Sequence, residues 1–313
     1  MPFLTKWKRK RQICLTLRMG RLIHKRLAAT ALAMALCSTA AAAEVSTTAK
    51  AGAQAHRIIT LTPHATELVY AAGGGHLIVG TVSSSDYPEA ARNIPRLGDG
   101  ILLNQERILV LRPTLFVGWL RSGVALQVEA LAAHLGADML YSRPSQLADI
   151  PADVRALGER LGNPLHAIRV AANMEARIRA MESRYTDRTP VSVFIEVGAS
   201  PLYTIGDDPL LQDAMRLCGG VNIYGDSGMP APRVTVESVL VHQPQLLIAS
   251  GRDDQTLQAV RERWVGYGLE AARLGRIHLA NPDALYRPGP RFLDAAEELC
   301  AAIDKVRESA GQG

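Results

Sequence analysis

Two glutamates occupy matching places in a phrase that occurs twice in the chain. The segment ERILVLRPTLFV begins at Glu106, and the segment ESVLVHQPQLLI begins at Glu237 with the same spacing of apolar residues and one proline. Asn104 is suited to cap the first copy as a helix. An acid in the first helical turn complements the positive end of the helix dipole, and an exposed carboxylate can also pair with an arginine. The repeat therefore predicts two copies of one short helix, each with an acid at its start.

The sequence lacks the common motifs of catalytic centres. It contains no GxSxG, HExxH or Walker A pattern, and its glycine-rich AAGGG follows a helix pattern, which does not fit a dinucleotide fingerprint. We found no clustered histidine and carboxylate set for manganese or zinc, and no cysteine or methionine cluster for a soft metal. These absences argue against the enzyme classes that carry those motifs, and they leave no candidate catalytic or cofactor-binding residues. An enzyme of another class and a sensor domain stay as alternatives to a binding protein.

The N-terminus has the composition of a secretory signal. Residues 1–26 carry nine basic residues and no acid, and the small, apolar LAATALAMALCSTA and then AAAE follow. A basic start, a short apolar stretch and an Ala-x-Ala site predict a cleaved signal peptide over residues 1–43, whether translation begins at Met1 or Met19. A retained anchor is the alternative. The polar lead over 44–56 is predicted to be disordered, and the mature protein to be periplasmic.

Charge and cysteine content fit an exported protein. The whole chain has 35 basic and 30 acidic residues, but nine basic residues and no acids fall in the predicted signal, so the mature part is mildly acidic. The basic balance of the full chain is therefore no argument for nucleic-acid binding. Cys218 and Cys300 remain after cleavage, and in an oxidising compartment they either form a disulfide or stay as buried free thiols.

Strand and helix patterns alternate in two separate stretches of the chain. RIITLTP, LIVGTVS, TLFVGW and ADMLYS are strand patterns with helices between them, and VSVFIEVG, QLLIAS and RIHLA repeat that order later. The stretch between them is helical, and PLHAIRVAANMEARIRAMESRY is long enough for one stiff helix of about 30 Å. We predict two similar α/β lobes, 57–145 and 190–308, with central parallel sheets flanked by helices. The helical linker over 146–189 joins them rigidly.

Motifs over nearly all of the mature chain resemble one family. They include RIITLTPHATEL, SSSDYPEAARNIPRLG, PLYTIG, LCGGVNIYGD and PDALYRPGPR. These segments are similar to the substrate-binding proteins of ABC importers in the helical-backbone metal-receptor superfamily, which carry cobalamin, haem or iron-siderophores. The cobalamin-binding members are the most similar. The resemblance implies a periplasmic monomer that captures cobalamin or a related corrinoid, with haem or an iron-siderophore as the alternative cargo.

The resemblance also implies roles for individual residues. Glu106 and Glu237 would dock into arginine pockets on the permease dimer, one glutamate on each subunit, and Cys218 and Cys300 would be bonded. Aromatic faces would stack on a flat macrocycle while polar groups reach its edge. The residues at ligand-contacting places are Tyr87, Trp119, Tyr203, Asp283 and Arg287. The competing interpretations are core packing for the aromatic residues, a turn for Asp283 and a surface ion pair for Arg287.

The sequence departs from the cobalamin-binding members at three places. Gly100 and Ala231 stand where those members have tryptophans in the cleft, which leaves room for a different or larger ligand. His64 replaces a small polar residue. His64 or Tyr87 is therefore a candidate axial ligand to cobalt or haem iron. The alternative for His64 is a helix cap that faces solvent.

Overall fold

The computed structural model describes residues 56–121 and 123–310. The predicted signal peptide over 1–43, its two candidate start residues and all but the last residue of the polar lead lie outside this part. Within the described residues, no helix is long and apolar enough to cross a membrane.

The N-terminal lobe is built on four parallel strands. Its elements are β1 (Ile58–Thr60), α1 (Pro63–Ala71), β2 (Ile78–Gly80), α2 (Gln105–Leu111), β3 (Leu115–Gly118), α3 (Val124–Leu135) and β4 (Asp138–Tyr141). The strand order is β2-β1-β3-β4, and Ile58 of β1 lies opposite Leu115 of β3. Because all four strands run the same way, their carboxyl ends share one edge of the sheet. Trp119, directly after β3, lies at that edge.

Two helices connect the lobes. Helix α4 spans Asp149–Arg160 and α5 spans Pro164–Tyr185, with the break that the GNP sequence predicted between them. The 22 residues of α5 extend about 33 Å. One face of α5 is buried at helical spacing, through Ala167, Ala171, Met174, Ile178 and Met181. The connection is therefore a packed helix that contributes to the core.

The C-terminal lobe repeats the architecture with additions. Its elements are β5 (Val191–Ala199), β6 (Leu202–Thr204), α6 (Pro209–Leu217), β7 (Gly220–Asn222), α7 (Val236–His242), β8 (Leu246–Ser250), α8 (Asp254–Tyr267), α9 (Glu270–Arg273), β9 (Ile277–Ala280), α10 (Pro282–Leu285) and α11 (Phe292–Ala310). The order is β6-β5-β8-β9, and β7 pairs with the first residues of β5. Strand β6 is antiparallel to the end of β5. Neither β6 nor β7 was predicted. The three-residue strands β1 and β2 lie in longer apolar runs, whereas LYT follows a proline and GVN follows a glycine without such a run.

Apolar clusters cover both faces of each sheet, as a parallel sheet requires. One large cluster is continuous from β1 and β3 through α4 and α5 to β5, β8 and α11. Separate clusters cover the opposite faces, around Phe116 in the N-terminal lobe and around Phe194 and Trp264 in the C-terminal lobe. Since the lobes share one core through α5, bending the connection would expose buried apolar surface.

A disulfide fastens the C-terminal lobe. Cys218 follows α6, Cys300 lies on α11, and the two are bonded. Both residues are fully buried. The pairing implied by the family resemblance is confirmed, and the free-thiol alternative is wrong.

Candidate functional site

Loops at the carboxyl ends of the two sheets contact each other. The N-terminal lobe contributes α1 and the loop after β2, and the C-terminal lobe contributes the segment between α10 and α11. The approach is close, because a Cβ atom on Gly289 would lie 3.0 Å from the Cβ of His64. Only glycine allows the second lobe to approach α1 this closely without displacing it.

Glu67 is a buried carboxylate on α1 that faces the C-terminal lobe. Its side chain is 2 % exposed. Its two oxygens accept hydrogen bonds of 2.6 and 2.9 Å from the guanidinium of Arg291. Arg287 approaches the same carboxylate to 3.7 Å. Desolvating a carboxylate is costly unless it is paired, so Glu67 depends on the arginines of the other lobe.

Arg287 is the most connected cation of the site. It donates to Asp86 of the N-terminal lobe at 2.9 Å and to Asp283 on α10 at 2.5 Å. Arg252 forms a further ion pair with Asp283. Burial raises the pKa of Asp86, but the hydrogen bond and charge of Arg287 outweigh it, and the net pKa is lowered. Three arginines and three carboxylates thus neutralise one another across the site.

Tyr87 lies in the loop after β2 and is 48 % exposed. The guanidinium of Arg291 lies 4.3 Å from the centre of its ring, a distance at which a cation and an aromatic face attract. Arg291 therefore contacts both Glu67 and the ring of Tyr87. Because Tyr87 is about half exposed, it can still contact a ligand.

His64 and Trp119 form an aromatic pair beside this cluster. The rings meet edge to face with 5.6 Å between centroids. Trp119 is 39 % exposed, whereas His64 is 5 % exposed. Burial, and to a lesser degree the charge of Arg287, lowers the pKa of His64 to about 3. His64 is therefore neutral at ordinary pH. The alternative of a helix cap that faces solvent does not hold, because the side chain is buried and its ring nitrogen Nε2 lies 3.3 Å from the hydroxyl of Thr62.

The remaining predicted cleft residue, Tyr203, lies on β6 in the C-terminal lobe. Its side chain is exposed, and its strand neighbour is Arg233. The contacts that unite the cluster do not include it. The nearby loop from Asp226 to Pro232 holds Ala231 and exposes Met229. Tyr203 stays a predicted ligand contact.

Gly100 of the N-terminal lobe has free space around it. A Cβ atom on this glycine would meet nothing within 4 Å, and its φ of 91° is in the left-handed region. The following residues, Ile101 and Leu102, are strongly exposed. The carboxylate of Asp99 holds the turn by accepting from both of their amides, at 2.8 and 2.9 Å. Aliphatic side chains thus follow Gly100 at the surface of this turn.

Sequence reasoning missed Glu67, Arg291, Asp86 and Arg252. Glu67 left one signal: it is the lone acid in PHATELVYA, whose residues from His64 to Val69 are all buried. A buried acid needs a cation, but Arg291 follows 224 residues later, and no local pattern connects the two.

A cavity of about 640 Å³ opens next to the ends of β5 and β8. Its lining includes Glu196, Ser250, Asp253 and Arg263 but none of the predicted ligand residues. The carboxylate of Glu196 is already paired with Arg263 and with the ring nitrogen of Trp264. We therefore place the candidate site at the cross-lobe cluster, where exposed aromatic rings and polar groups converge.

The two repeated helices have the same length, an N-cap hydrogen bond and a left-handed C-cap residue. The side chain of Asn104 accepts from the amide of Arg107 at 2.9 Å, and that of Thr235 accepts from the amide of Ser238 at 3.2 Å. Each helix ends in a left-handed residue before the proline, Arg112 in one copy and Gln243 in the other.

Glu106 and Glu237 lie exposed in the first turns of these helices. Hydrogen bonds from its own amide and from Thr235 lower the pKa of Glu237, which keeps this carboxylate charged. Four residues on, and hence on the same helical face, Val110 and Val241 are 80 % and 83 % exposed. Each lobe therefore displays the same pair of an acid and an apolar side chain.

Among residues 56–121 and 123–310, no group of three histidine, cysteine or carboxylate side chains could hold a metal ion. Ligation of a metal by His64 or Tyr87 stays a prediction, and it concerns an ion carried within a cargo. His64 would reach such an ion only if the side chains that cover it moved.

Comparisons with known proteins agree with the architecture. Residues 58–284 match the periplasmic binding protein family. The chain is 32 % identical over 248 residues to a vitamin B12-binding protein of Photorhabdus laumondii, covering 79 % of this chain and 88 % of that protein. The crystal structure of the periplasmic vitamin B12-binding protein BtuF of Vibrio cholerae is similar with a TM-score of 0.73 at 32 % identity, covering 81 % and 98 %. The periplasmic haem-binding protein RhuT of a Roseiflexus species, in its apo form, follows with a TM-score of 0.67 at 26 % identity, covering 81 % and 99 %. The resemblance seen in the sequence is thus confirmed, as is the α/β fold class.

Proposed function

Since this chain belongs to the periplasmic binding protein family, we propose that it captures cobalamin or a related corrinoid between its two lobes. It then delivers this cargo to an ABC importer in the inner membrane. The protein acts as a carrier and performs no chemistry on the cargo. It works in the periplasm as a monomer, after removal of an N-terminal signal, and nucleic acid is not a partner.

The charge balance of the cleft carries this proposal. Arg252, Arg287 and Arg291 are each already paired with a carboxylate of the site. Haem has two ionised propionates and would need cations that are free to receive them. The corrin ring of cobalamin is edged by neutral amides, which can hydrogen-bond to paired charges without disturbing them. The vitamin B12-binding relatives at 32 % identity support the same choice.

The exposed rings suit a flat macrocycle. Tyr87 and Trp119 present partly exposed faces on the N-terminal lobe, and Tyr203 does so on the opposite lobe. Stacked rings gain apolar contact area with little loss of side-chain freedom. Asp283 and Arg287 would meet the amide edge. His64 contacts the ring of Trp119 edge to face and would help to position it.

We keep the domain bounds predicted from the sequence as part of this proposal. The N-terminal lobe is 57–145, the linker is 146–189 and the C-terminal lobe is 190–308. Because the linker shares a core with both lobes, we expect binding with little hinge motion.

Delivery uses the repeated helices. Glu106 on one lobe and Glu237 on the other would each engage an arginine pocket of the permease dimer. Two matched carboxylates on two similar lobes suit a partner that has two equivalent subunits. Charge-assisted hydrogen bonds from arginine would fix the orientation of docking.

Calorimetric titration of the mature protein with cyanocobalamin tests the proposal. We expect saturable binding of one ligand per chain, weakened at least about tenfold by Trp119→Ala, since a stacked ring supplies more than one kcal/mol of contact. Leu274→Ala, an exposed aliphatic change between α9 and β9, is the matched control and should leave binding unchanged. No heat with cyanocobalamin, together with a shifted Soret band on adding hemin, would contradict the proposal and favour the haem alternative.

A further inference from the structure

One buried carboxylate on the N-terminal lobe is paired with arginines of the C-terminal lobe. Glu67 belongs to α1 of the N-terminal lobe, and both arginines near it, Arg287 and Arg291, belong to the C-terminal lobe. Glu67 has almost no exposed surface, whereas the side chains of the two arginines keep 14 % and 16 %. The negative charge is thus the most deeply buried member of the network.

We propose that Glu67 is a positioning residue that locks the two lobes across the cleft and sets the places of Arg287 and Arg291. The proposal goes beyond cargo capture, because it assigns a role to a residue that need not touch the cargo. Its cargo-affinity test rests on the proposed function, whereas its structural test does not.

The energetics of burial support a lock. If the lobes separated at this edge, Glu67 would lose its cations while still largely surrounded by protein. An unpaired buried charge is far less favourable than a paired one, so separation at this place is opposed. The shared core around α5 resists bending at the back of the molecule, and Glu67 resists opening at the front.

The geometry supports a positioning role as well. Arg291 meets Glu67 with two parallel hydrogen bonds, an arrangement that fixes the plane of the guanidinium. The central carbon of the same guanidinium lies 4.3 Å from the centre of the Tyr87 ring. Arg287 is held between Glu67, Asp86 and Asp283. Without the charge of Glu67, two neighbouring arginines repel each other, and both lose their defined place.

Glu67→Gln removes the charge and keeps the size of the side chain. Glu297→Gln is the matched control, because Glu297 on α11 also makes two hydrogen bonds to one guanidinium, that of Arg177 on α5. This second pair lies away from the cleft residues and joins the linker to α11. Arg291→Lys is a second test variant in case Glu67→Gln does not fold. It keeps the positive charge but cannot make the bidentate pair of hydrogen bonds to Glu67.

The structural test measures the distance between the lobes without any cargo. Spin labels on Val110→Cys and Val241→Cys occupy matching exposed positions on the two lobes. Pulsed electron–electron double resonance between the two labels should give one narrow distance distribution for the parent protein and for Glu297→Gln. We expect a broader distribution in Glu67→Gln and in Arg291→Lys. Unchanged distributions in these two variants, or equal broadening in the control, would overturn the lock.

The second measurement is affinity for cyanocobalamin. Arginines displaced from their places would lose hydrogen bonds to the cargo, and one charged hydrogen bond changes affinity by about tenfold or more. Glu67→Gln should therefore bind cyanocobalamin at least about ten times more weakly than Glu297→Gln. Unchanged affinity in Glu67→Gln would refute the positioning role. If the parent protein itself does not bind cyanocobalamin, the proposed cargo is wrong, and the distance measurement still decides whether Glu67 locks the lobes.

Discussion

Replacing His64 with glutamine should change how the stability of the protein depends on pH. The pKa of His64 is about 3 in the folded protein because burial and the neighbouring Arg287 oppose its protonation. In the unfolded chain the pKa is near the ordinary value of about 6.5. Between these two values the unfolded state binds a proton that the folded state does not. The contribution of neutral His64 to the free energy of unfolding is therefore fully present above the pKa of the unfolded chain. It is lost progressively as the pH falls toward the pKa of the folded protein.

The magnitude follows from the two pKa values. Going from pH 7.5 to pH 5, this one group should cost about 2 kcal/mol of the free energy of unfolding. His64→Gln has no such group, so its free energy of unfolding should fall by about 2 kcal/mol less over the same interval. His278, whose pKa burial also lowers, is present in both proteins and cancels in the comparison.

Urea unfolding with the disulfide intact, followed by circular dichroism at pH 7.5, 6.5 and 5, measures this difference. His134→Gln is the control, because His134 is an exposed histidine on α3 and its replacement should leave the wild-type pH dependence intact. If wild type and His64→Gln gave parallel curves of unfolding free energy against pH, the buried neutral state of His64 would be refuted.

Three further predictions concern docking, the disulfide and the turn at the cleft. Glu106→Ala or Glu237→Ala should each weaken binding to the importer about tenfold or more and leave cargo affinity unchanged; equal loss of both would contradict a docking role. Replacing Cys218 and Cys300 by alanine should lower the free energy of unfolding by about 2–4 kcal/mol in chemical denaturation, and no loss would show that the bond is dispensable. Gly98→Ala should cost about 1–3 kcal/mol, because its Cβ would lie 1.9 Å from the carbonyl oxygen of Leu102. Gly266→Ala, with no atom within 4 Å of its Cβ, is the control and should be neutral or slightly stabilising in the same melts.

Local signals predicted the repeated helices well. An N-cap side chain, an acid in the first turn and a proline after the last turn are all encoded within about ten residues, and the structure shows them in both copies. The break between α4 and α5 at GNP is equally local. In contrast, β6 and β7 lack an apolar run in the sequence, and both are stabilised by pairing with the long strand β5.

The candidate site was only partly predictable because its contacts are long-range. Tyr87, Asp283 and Arg287 were named through the family resemblance, and the structure brings them into one network. The link from Glu67 to Arg291 could not be inferred from a single sequence. The burial of His64 was missed for the same reason, since Gly289 of the other lobe lies against it.

The most direct test of the central claim is a competition between two cargoes. The mature protein is mixed with equal concentrations of cyanocobalamin and hemin, separated from free ligand by gel filtration, and its visible spectrum is recorded. The charge-balanced cleft predicts that the protein fraction carries the cyanocobalamin spectrum, at one ligand per chain. A protein fraction that carries a Soret band and no cobalamin would contradict the account.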